Sequence, residues 1–397
     1  MKVLLAHNRY QRPGGEDVAA SSEKGLVIAR GHQVVEYVRY NDEVASYGHW
    51  RKATLMARTV WAWDSYREIK ALLRVERPDV AHFHNTFPLI SPAAYYACRE
   101  AGVPVVQTLH NYRLLCPAAT FLNGGRVCEA CTERGFRRAI MGRCYRQSFG
   151  ATLTVSLMLG AHRWLQTWTR LVDCYIALTE FARGKFIAGG LPPERVVVKP
   201  NFVYPDPHPD MGNGCPRREY ALFVGRLSEE KGAHNLIAGW ARLNTRIPLV
   251  VAGDGPLRSM LAERASRSNC LPVTFLGRIR RQEVPALLAG ARFLVFPSEC
   301  YETFGLAAVE AFACAVPVLA SRIGALEELV TEAQTGLTFR PGDPDDLAAK
   351  VSWAWSDPDE MAAMGRAARA EYEAKYTAER NYEMLMEIYG KVLGAKD

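Results

Sequence analysis

The sequence predicts an α/β protein of two domains, each a doubly wound parallel sheet, and three observations predict it. The chain has 397 residues, 49% of them hydrophobic, which exceeds the size at which a single core keeps growing. Short apolar runs of strand length alternate with helix-length segments, the pattern of βαβ units around a parallel sheet. That alternation is interrupted once, by a proline-rich connector, and then begins again.

Each element follows from local signals. Lys2 to His7 reads as a buried first strand, Pro13-Gly14-Gly15 as a loop, Glu16 to Arg30 as a helix stopped by Gly31, and Gln33 to Val38 as the second strand. Val80 to Phe83 and Val103 to Leu109 continue the series, preceded by the turn signals Arg77-Pro78-Asp79 and Ala101-Gly102. Beyond Lys199-Pro200-Asn201, the run Tyr204 to Asp210 alternates prolines with polar residues and favours an extended connector. A second series places strands at Tyr220–Val224, Leu249–Ala252, Val273–Leu276, Phe293–Phe296 and Val318–Ala320, and helices near Pro344–Trp355, Pro358–Lys375 and Ala378–Leu393 close the chain. The expected division is residues 1–200, with a cysteine-rich insertion near 112–150, then 201–376, then a helix over 377–397 packing back on the first domain. In open α/β sheets ligands sit beyond the carboxyl ends of the strands, so two such domains facing across a cleft would line it with strand-to-helix loops.

Composition narrows the class. The apolar start is too short for a signal peptide, and no window approaches the roughly 18 uncharged apolar residues of a membrane span, so a cytoplasmic protein is expected. A net charge of +7 is compatible with an anionic membrane surface, nucleic acid or phosphorylated substrates. Of ten cysteines, six are scattered, whereas Cys116, Cys128, Cys131 and Cys144 crowd one stretch.

The richest stretch runs from Phe296 to Glu310. It leaves a buried strand and enters a helix at about Phe304 or Gly305, where unbonded amides would suit a phosphate. Glu302 would sit at the mouth and Glu310 about two turns inside, on the order of 9 Å along the axis. That separation suits two hydroxyl groups at opposite ends of a ligand better than the roughly 5 Å carboxylate pair of a retaining hydrolase. Arg226 and Lys231 flank another loop, where guanidinium and ammonium groups could bracket a diphosphate. Asp343-Pro344-Asp345 and Asp357-Pro358-Asp359 precede helices and read as caps, leaving no metal-binding Asp-x-Asp at a strand end. Gly253-Asp254-Gly255 has Arg258 where a dinucleotide fingerprint needs its third glycine, which excludes a nicotinamide or flavin site.

Glu302 and Glu310, with seven residues between them, resemble the glutamate pair of the family 4 retaining glycosyltransferases of the GT-B fold. The runs Phe223 to Gly232, Val251 to Pro256, Phe275 to Arg278 and Ala311 to Ala320 resemble further signatures of that family, in the same order. The resemblance implies that Arg226 and Lys231 clamp the donor diphosphate and that Glu302 contacts sugar hydroxyls. It further implies main-chain amides to the donor at Phe304, Gly305 and Leu306, ribose binding by Glu310, and contacts to the base from Gly277, Arg278 and Ile279. In the first domain Gly14-Gly15 matches the family's glycine-rich loop and His110 its active-site histidine; His82 and His84 are weaker candidates at another strand end. The implied chemistry stabilises the departing diphosphate while the acceptor hydroxyl attacks on the same face, with no protein nucleophile and no catalytic metal. The expected partners are a nucleoside-diphosphate sugar and a glycan or lipid-linked acceptor, with no nucleic acid.

Cys116, Cys128, Cys131 and Cys144 have the count, and in Cys128-x2-Cys131 the close pair, of a four-thiolate zinc site. An iron–sulfur cluster and four free thiols stay open as alternatives. The following stretch, Phe136 to Arg143 and Leu153 to Trp168, mixes arginines with large apolar residues; it fits either a core helix with a basic outer face or a peripheral contact with the inner face of the plasma membrane. Two rival functions remain: a GT-B-fold sugar-nucleotide epimerase or hydrolase, and a zinc-containing nucleic-acid-binding module.

Overall fold

The computed structural model describes residues 1–11, 14–48, 54–207, 219–267 and 272–394. Pro13 of the glycine loop, His208 to Asp210 of the connector, and Cys215 and Cys270 lie outside the described residues. The chain divides into two compact units, the first formed by Met1–Phe121, Cys128–Pro200 and Asn381–Asp397, the second by Leu122–Val127 and Asn201–Arg380. The change of unit at Asn381 falls four residues later than position 377, inside the last helix, Ala378–Gly394.

The first unit holds a parallel sheet of β1 (Lys2–Arg9), β2 (Gln33–Tyr40), β3 (Val80–Asn85), β4 (Val105–Thr108), β7 (Cys174–Ala177) and β8 (Val196–Val198), in the order β2-β1-β3-β4-β7-β8. β3, β4 and β7 are buried at every residue, as expected of parallel strands covered on both faces. Val3, Leu5, Val27, Val80, Val106 and Ile176 form one core with Leu385, Ile388 and Tyr389 of the last helix. The sequence reading did not assign β7 and β8. Within the cysteine-rich stretch, β5 (Leu122–Asn123) and β6 (Arg126–Val127) pair as a hairpin around Gly124-Gly125.

The second unit repeats the architecture with β9 (Tyr220–Val224), β10 (Leu249–Ala252), β11 (Val273–Gly277), β12 (Ala291–Phe296), β13 (Val318–Ser321) and β14 (Gly336–Phe339), in the order β11-β10-β9-β12-β13-β14. Phe223, Trp240, Leu249, Phe293 and Leu347 anchor its core. In both sheets the winding reverses once, between β1 and β3 and between β9 and β12. Loops leaving such neighbouring strands diverge and open a crevice at their carboxyl ends.

Candidate active site

In the second unit the crevice is built from the loops after β9 and β12. Gly232 has φ +63, and a Cβ there would stand 1.8 Å from the Pro297 carbonyl oxygen, so only glycine lets the two loops approach this closely. That approach delivers Lys231 to Glu302: Lys231 Nζ donates to Glu302 Oε1 at 2.6 Å, and Ser298 Oγ donates to the same oxygen at 2.5 Å. Burial opposes the Lys231 charge, but Glu302 outweighs it and holds the ammonium above its usual range. Sequence reasoning treated these two residues as separate contacts; the structure joins them in one charged pair.

The helix Leu306–Ala313 begins one residue later than expected, with Gly305 as its N-cap at φ +135. Its first amides have no carbonyl one turn back to bond. Phe304 is buried and stacks edge-on with Tyr376, so what this residue can offer a ligand is its main chain. Glu310 lies on the second turn, 3.6 Å from Arg281, and burial raises its carboxyl against the pull of that guanidinium. Arg226 is exposed and pairs with no carboxylate among the described residues. Gly277 ends β11, the edge strand, and Arg278 and Ile279 follow it; the Gly277 carbonyl accepts from the Gly253 amide at 2.8 Å. Glu299, not singled out in the sequence, accepts from Asn235 Nδ2 at 2.6 Å and lies 3.3 Å from His234 Nε2.

The first unit has a different crevice. His7-Asn8, His84-Asn85 and His110-Asn111 stand at the ends of β1, β3 and β4, three neighbouring strands. This recurring dipeptide was a legible signal that singling out His110 passed over. Asn85 Nδ2 and Asn111 Nδ2 each donate at 3.0 Å to one oxygen of Glu16, in the first turn of the helix Gly15–Ala29. Asp17, beside it, meets His7 Nε2 at 2.9 Å and caps the Gly14 amide at 2.8 Å. Gly14 and Gly15 are exposed with open space where a Cβ would stand, so they mark a helix start and not a steric necessity.

Behind His110 lies a buried group. His84 Nδ1 meets His110 Nε2 at 2.9 Å, and the rings stack 5.2 Å apart. Glu23 Oε1 lies 3.3 Å from His84 Nε2 and 3.2 Å from His82 Nδ1, while Lys199 donates to Glu23 Oε2 at 2.7 Å. Glu23, His82 and His84 have the residue types and closeness of a metal site. Lys199 places a cation against the carboxylate, however, and His82 is occupied by Tyr389 at 2.8 Å and Thr108 at 2.8 Å, so a hydrogen-bonded polar core accounts for the cluster better. Burial pushes His82 down to about 3 and His110 well below its ordinary value, leaving both rings neutral.

The four clustered cysteines form no disulfide. Cys116 follows a 3-10 turn, Cys128 follows the hairpin, Cys131 lies on the helix Ala130–Arg134 and Cys144 follows the helix Arg137–Met141. Burial, then the other three thiols, push Cys131 up to about 12. The helix Phe149–Trp164 is amphipathic in an unusual sense: Val155, Met158 and Leu159 are buried, yet Phe149, Leu157 and Trp164 are exposed. Among the described residues no helix is long and apolar enough to cross a membrane. Asp343 and Asp357 cap the helices that follow them.

Two six-stranded parallel sheets, each with a polar crevice at its winding reversal, define the GT-B class of glycosyltransferase fold. The solved structures agree: HepE of Anabaena with UDP-glucose has TM-score 0.67 at 19% identity over 98% of this chain and 99% of that one. Sucrose-phosphate synthase from Thermosynechococcus elongatus has TM-score 0.71 at 19% identity over 99% of each chain.

Residues 24–206 match the family described as Glycosyltransferase Family 4, and residues 215–371 match Glycosyl transferases group 1. The chain belongs to this family of retaining glycosyltransferases. Glycogen synthase of Mycobacterium tuberculosis is 41% identical over 152 residues, 37% of this chain and 36% of that protein; the matched part is thus about a third of that relative's length. Alpha-maltose-1-phosphate synthase of Mycolicibacterium smegmatis is 27% identical over 82% of both chains.

Proposed function

We propose that the chain transfers a sugar, with retention, from a nucleoside-diphosphate sugar to a hydroxyl acceptor. The observation that carries this is the Lys231–Glu302 pair, held at the β9/β12 reversal beside a helix N-terminus. Lys231, the exposed Arg226 and the amides of Gly305 and Leu306 supply positive potential for a departing diphosphate. Glu302 and Glu310 supply acceptors for sugar and ribose hydroxyls. The cationic pair answers the leaving-group charge, so turnover is expected to proceed without a divalent metal. His110 is assigned a donor-sugar contact through its match to the family histidine. The structure determined with UDP-glucose makes UDP-sugars the first donors to try. Thermal-shift screening against UDP-, GDP- and ADP-sugars, followed by turnover with and without a lipid-extract acceptor, tests the reading. Full-rate donor consumption without acceptor would favour the hydrolase or epimerase instead.

Two finer proposals accompany it. Cys116, Cys128, Cys131 and Cys144 hold a structural zinc, supported by four thiols free of disulfides on four separate segments, of which Cys116, Cys128 and Cys144 all act on Cys131. Zinc would cross-link this stretch and play no part in the chemistry. Metal analysis before and after Cys128→Ser tests it; metal-free wild type of normal stability ends the idea, and iron in place of zinc points to a cluster. The second is a lipid-linked acceptor at an anionic membrane surface on the cytoplasmic side, supported by exposed Met141, Phe149, Leu157 and Trp164 among the arginines of residues 137–146. Vesicle sedimentation with Trp164→Ser checks it: unchanged binding, or none in the wild type, rejects the proposal.

A further inference from the structure

The contact between Lys231 and Glu302 joins loops that leave two different strands, β9 and β12. Gly232 permits these loops to approach, but an absent side chain fastens nothing. Lysine is no rigid arm either, because its ammonium rides on a flexible four-carbon stem. Glu299 supplies a fastening. It is buried, and its backbone N–H donates to the Glu230 carbonyl at 3.0 Å. Its side-chain Oε1 accepts from Asn235 Nδ2 at 2.6 Å and lies 3.3 Å from His234 Nε2. Glu230 precedes Lys231, and His234 and Asn235 stand in the first turn of the helix Ala233–Trp240 that follows it. One residue of the β12 loop is thus tied to the chain on both sides of Lys231. The loop after β14 closes over the contact: a Cβ on Gly342 would stand 3.6 Å from Asn235 Nδ2 and 3.9 Å from Glu299 Oε2. Burial raises the Glu299 carboxyl, with His234 and then Asn235 opposing it. A charge is costly there, so what this side chain lends the loop is an acceptor oxygen.

We infer that Glu299 is a positioning residue that, through Asn235, fastens the β12 loop to the helix following Lys231 and so holds Glu302 within reach of the ammonium. Loosening this tie widens the range of Lys231–Glu302 separations. A displacement on the order of 1 Å is enough to cost about a hundredfold in rate. For its effect on turnover the inference rests on the transferase reading; for the geometry of the pair it does not.

The test starts from full-length protein labelled with 15N-lysine, in which Lys231→Met identifies the Lys231 ammonium signal. Glu299→Gln keeps an oxygen that accepts from Asn235 and should leave that signal in place. Glu299→Leu and Asn235→Ala remove the tie from opposite sides, so each should shift or broaden it. Turnover of the UDP-, GDP- or ADP-sugar selected by thermal shift should follow the same order. Glu299→Gln should keep most of the wild-type kcat, whereas the other two should lose roughly tenfold to hundredfold, the usual cost of removing a group that orients another, with donor KM changed less. Because the two residues act through one contact, the Glu299→Leu/Asn235→Ala double variant should be no worse than the more impaired single one. An unchanged Lys231 signal or an unchanged kcat in Glu299→Leu and Asn235→Ala would overturn the inference. Equal losses in Glu299→Gln and Glu299→Leu, or additive losses in the double variant, would overturn it as well. Should Glu299→Leu fail to fold, Asn235→Ala carries the same decision. The spectra need no turnover, so signals in the expected order from a chain that consumes no nucleotide sugar would discredit the transferase reading alone.

Discussion

The two crevices of this protein share a backbone plan and differ in their chemistry. In the first unit the ends of β1, β3 and β4 present imidazoles and carboxamides, with the charged Glu23–Lys199 pair buried behind them. In the second, the ends of β9 and β12 hold a charged pair in the crevice itself, with Lys231 and Glu302 only partly shielded. The difference teaches that the winding reversal supplies a place and not a chemistry. Under the proposed function, the crevice of neutral rings would meet hydroxyls, and the one with cations and a helix start would answer developing negative charge.

The comparison can be broken most forcefully at the charged pair. Lys231→Ala and Glu302→Ala should each lower kcat/KM by about a thousandfold or more, in the range of losing a principal charge-stabilising group, while circular dichroism shows the fold retained. Near-normal activity in either would remove the second unit from the chemistry. His110→Ala should cost less, roughly a hundredfold, because a ring that orients a hydroxyl contributes less than a charge on the leaving group; an equal loss would mean the imidazole crevice is no mere recognition site.

The neutral rings also predict a pH dependence. The unfolded chain protonates histidine near 6.5, whereas burial holds folded His82 neutral down to about 3 and lowers His7 in the same direction. Between those values the unfolded state binds more protons, so stability rises with pH and is lost on acidification. Chemical unfolding compared at about pH 7 and about pH 5 should show a loss on the order of 1 kcal/mol per pH unit below about 6.5 from His82, with His7 adding in the same direction. A flat profile would mean the rings are charged. Glu310→Gln should have the smallest effect, a rise in donor KM of about threefold to tenfold with kcat little changed, the mark of a contact made equally in ground and transition states.

Much of this was legible in the sequence. The alternation of apolar runs located nine strands, and the family motifs singled out Lys231 and Glu302, which the structure pairs. The sequence reading did not assign β7, β8 and β14, or single out Glu23, Glu299 and Lys199, whose partners lie far along the chain. Glu23 and Lys199 are 176 residues apart, and no local rule pairs them.

By itself, then, the sequence determined the α/β class, the two sheets and the identity of the motif residues, because hydrophobic period and turn chemistry are local properties of the chain. Only the tertiary structure decided that Lys231 meets Glu302, that Gly232 must be glycine for them to meet, and that His110 is backed by His84 and Glu23. Those facts depend on which loops the strand order brings together, and on which charges burial forces to find a partner.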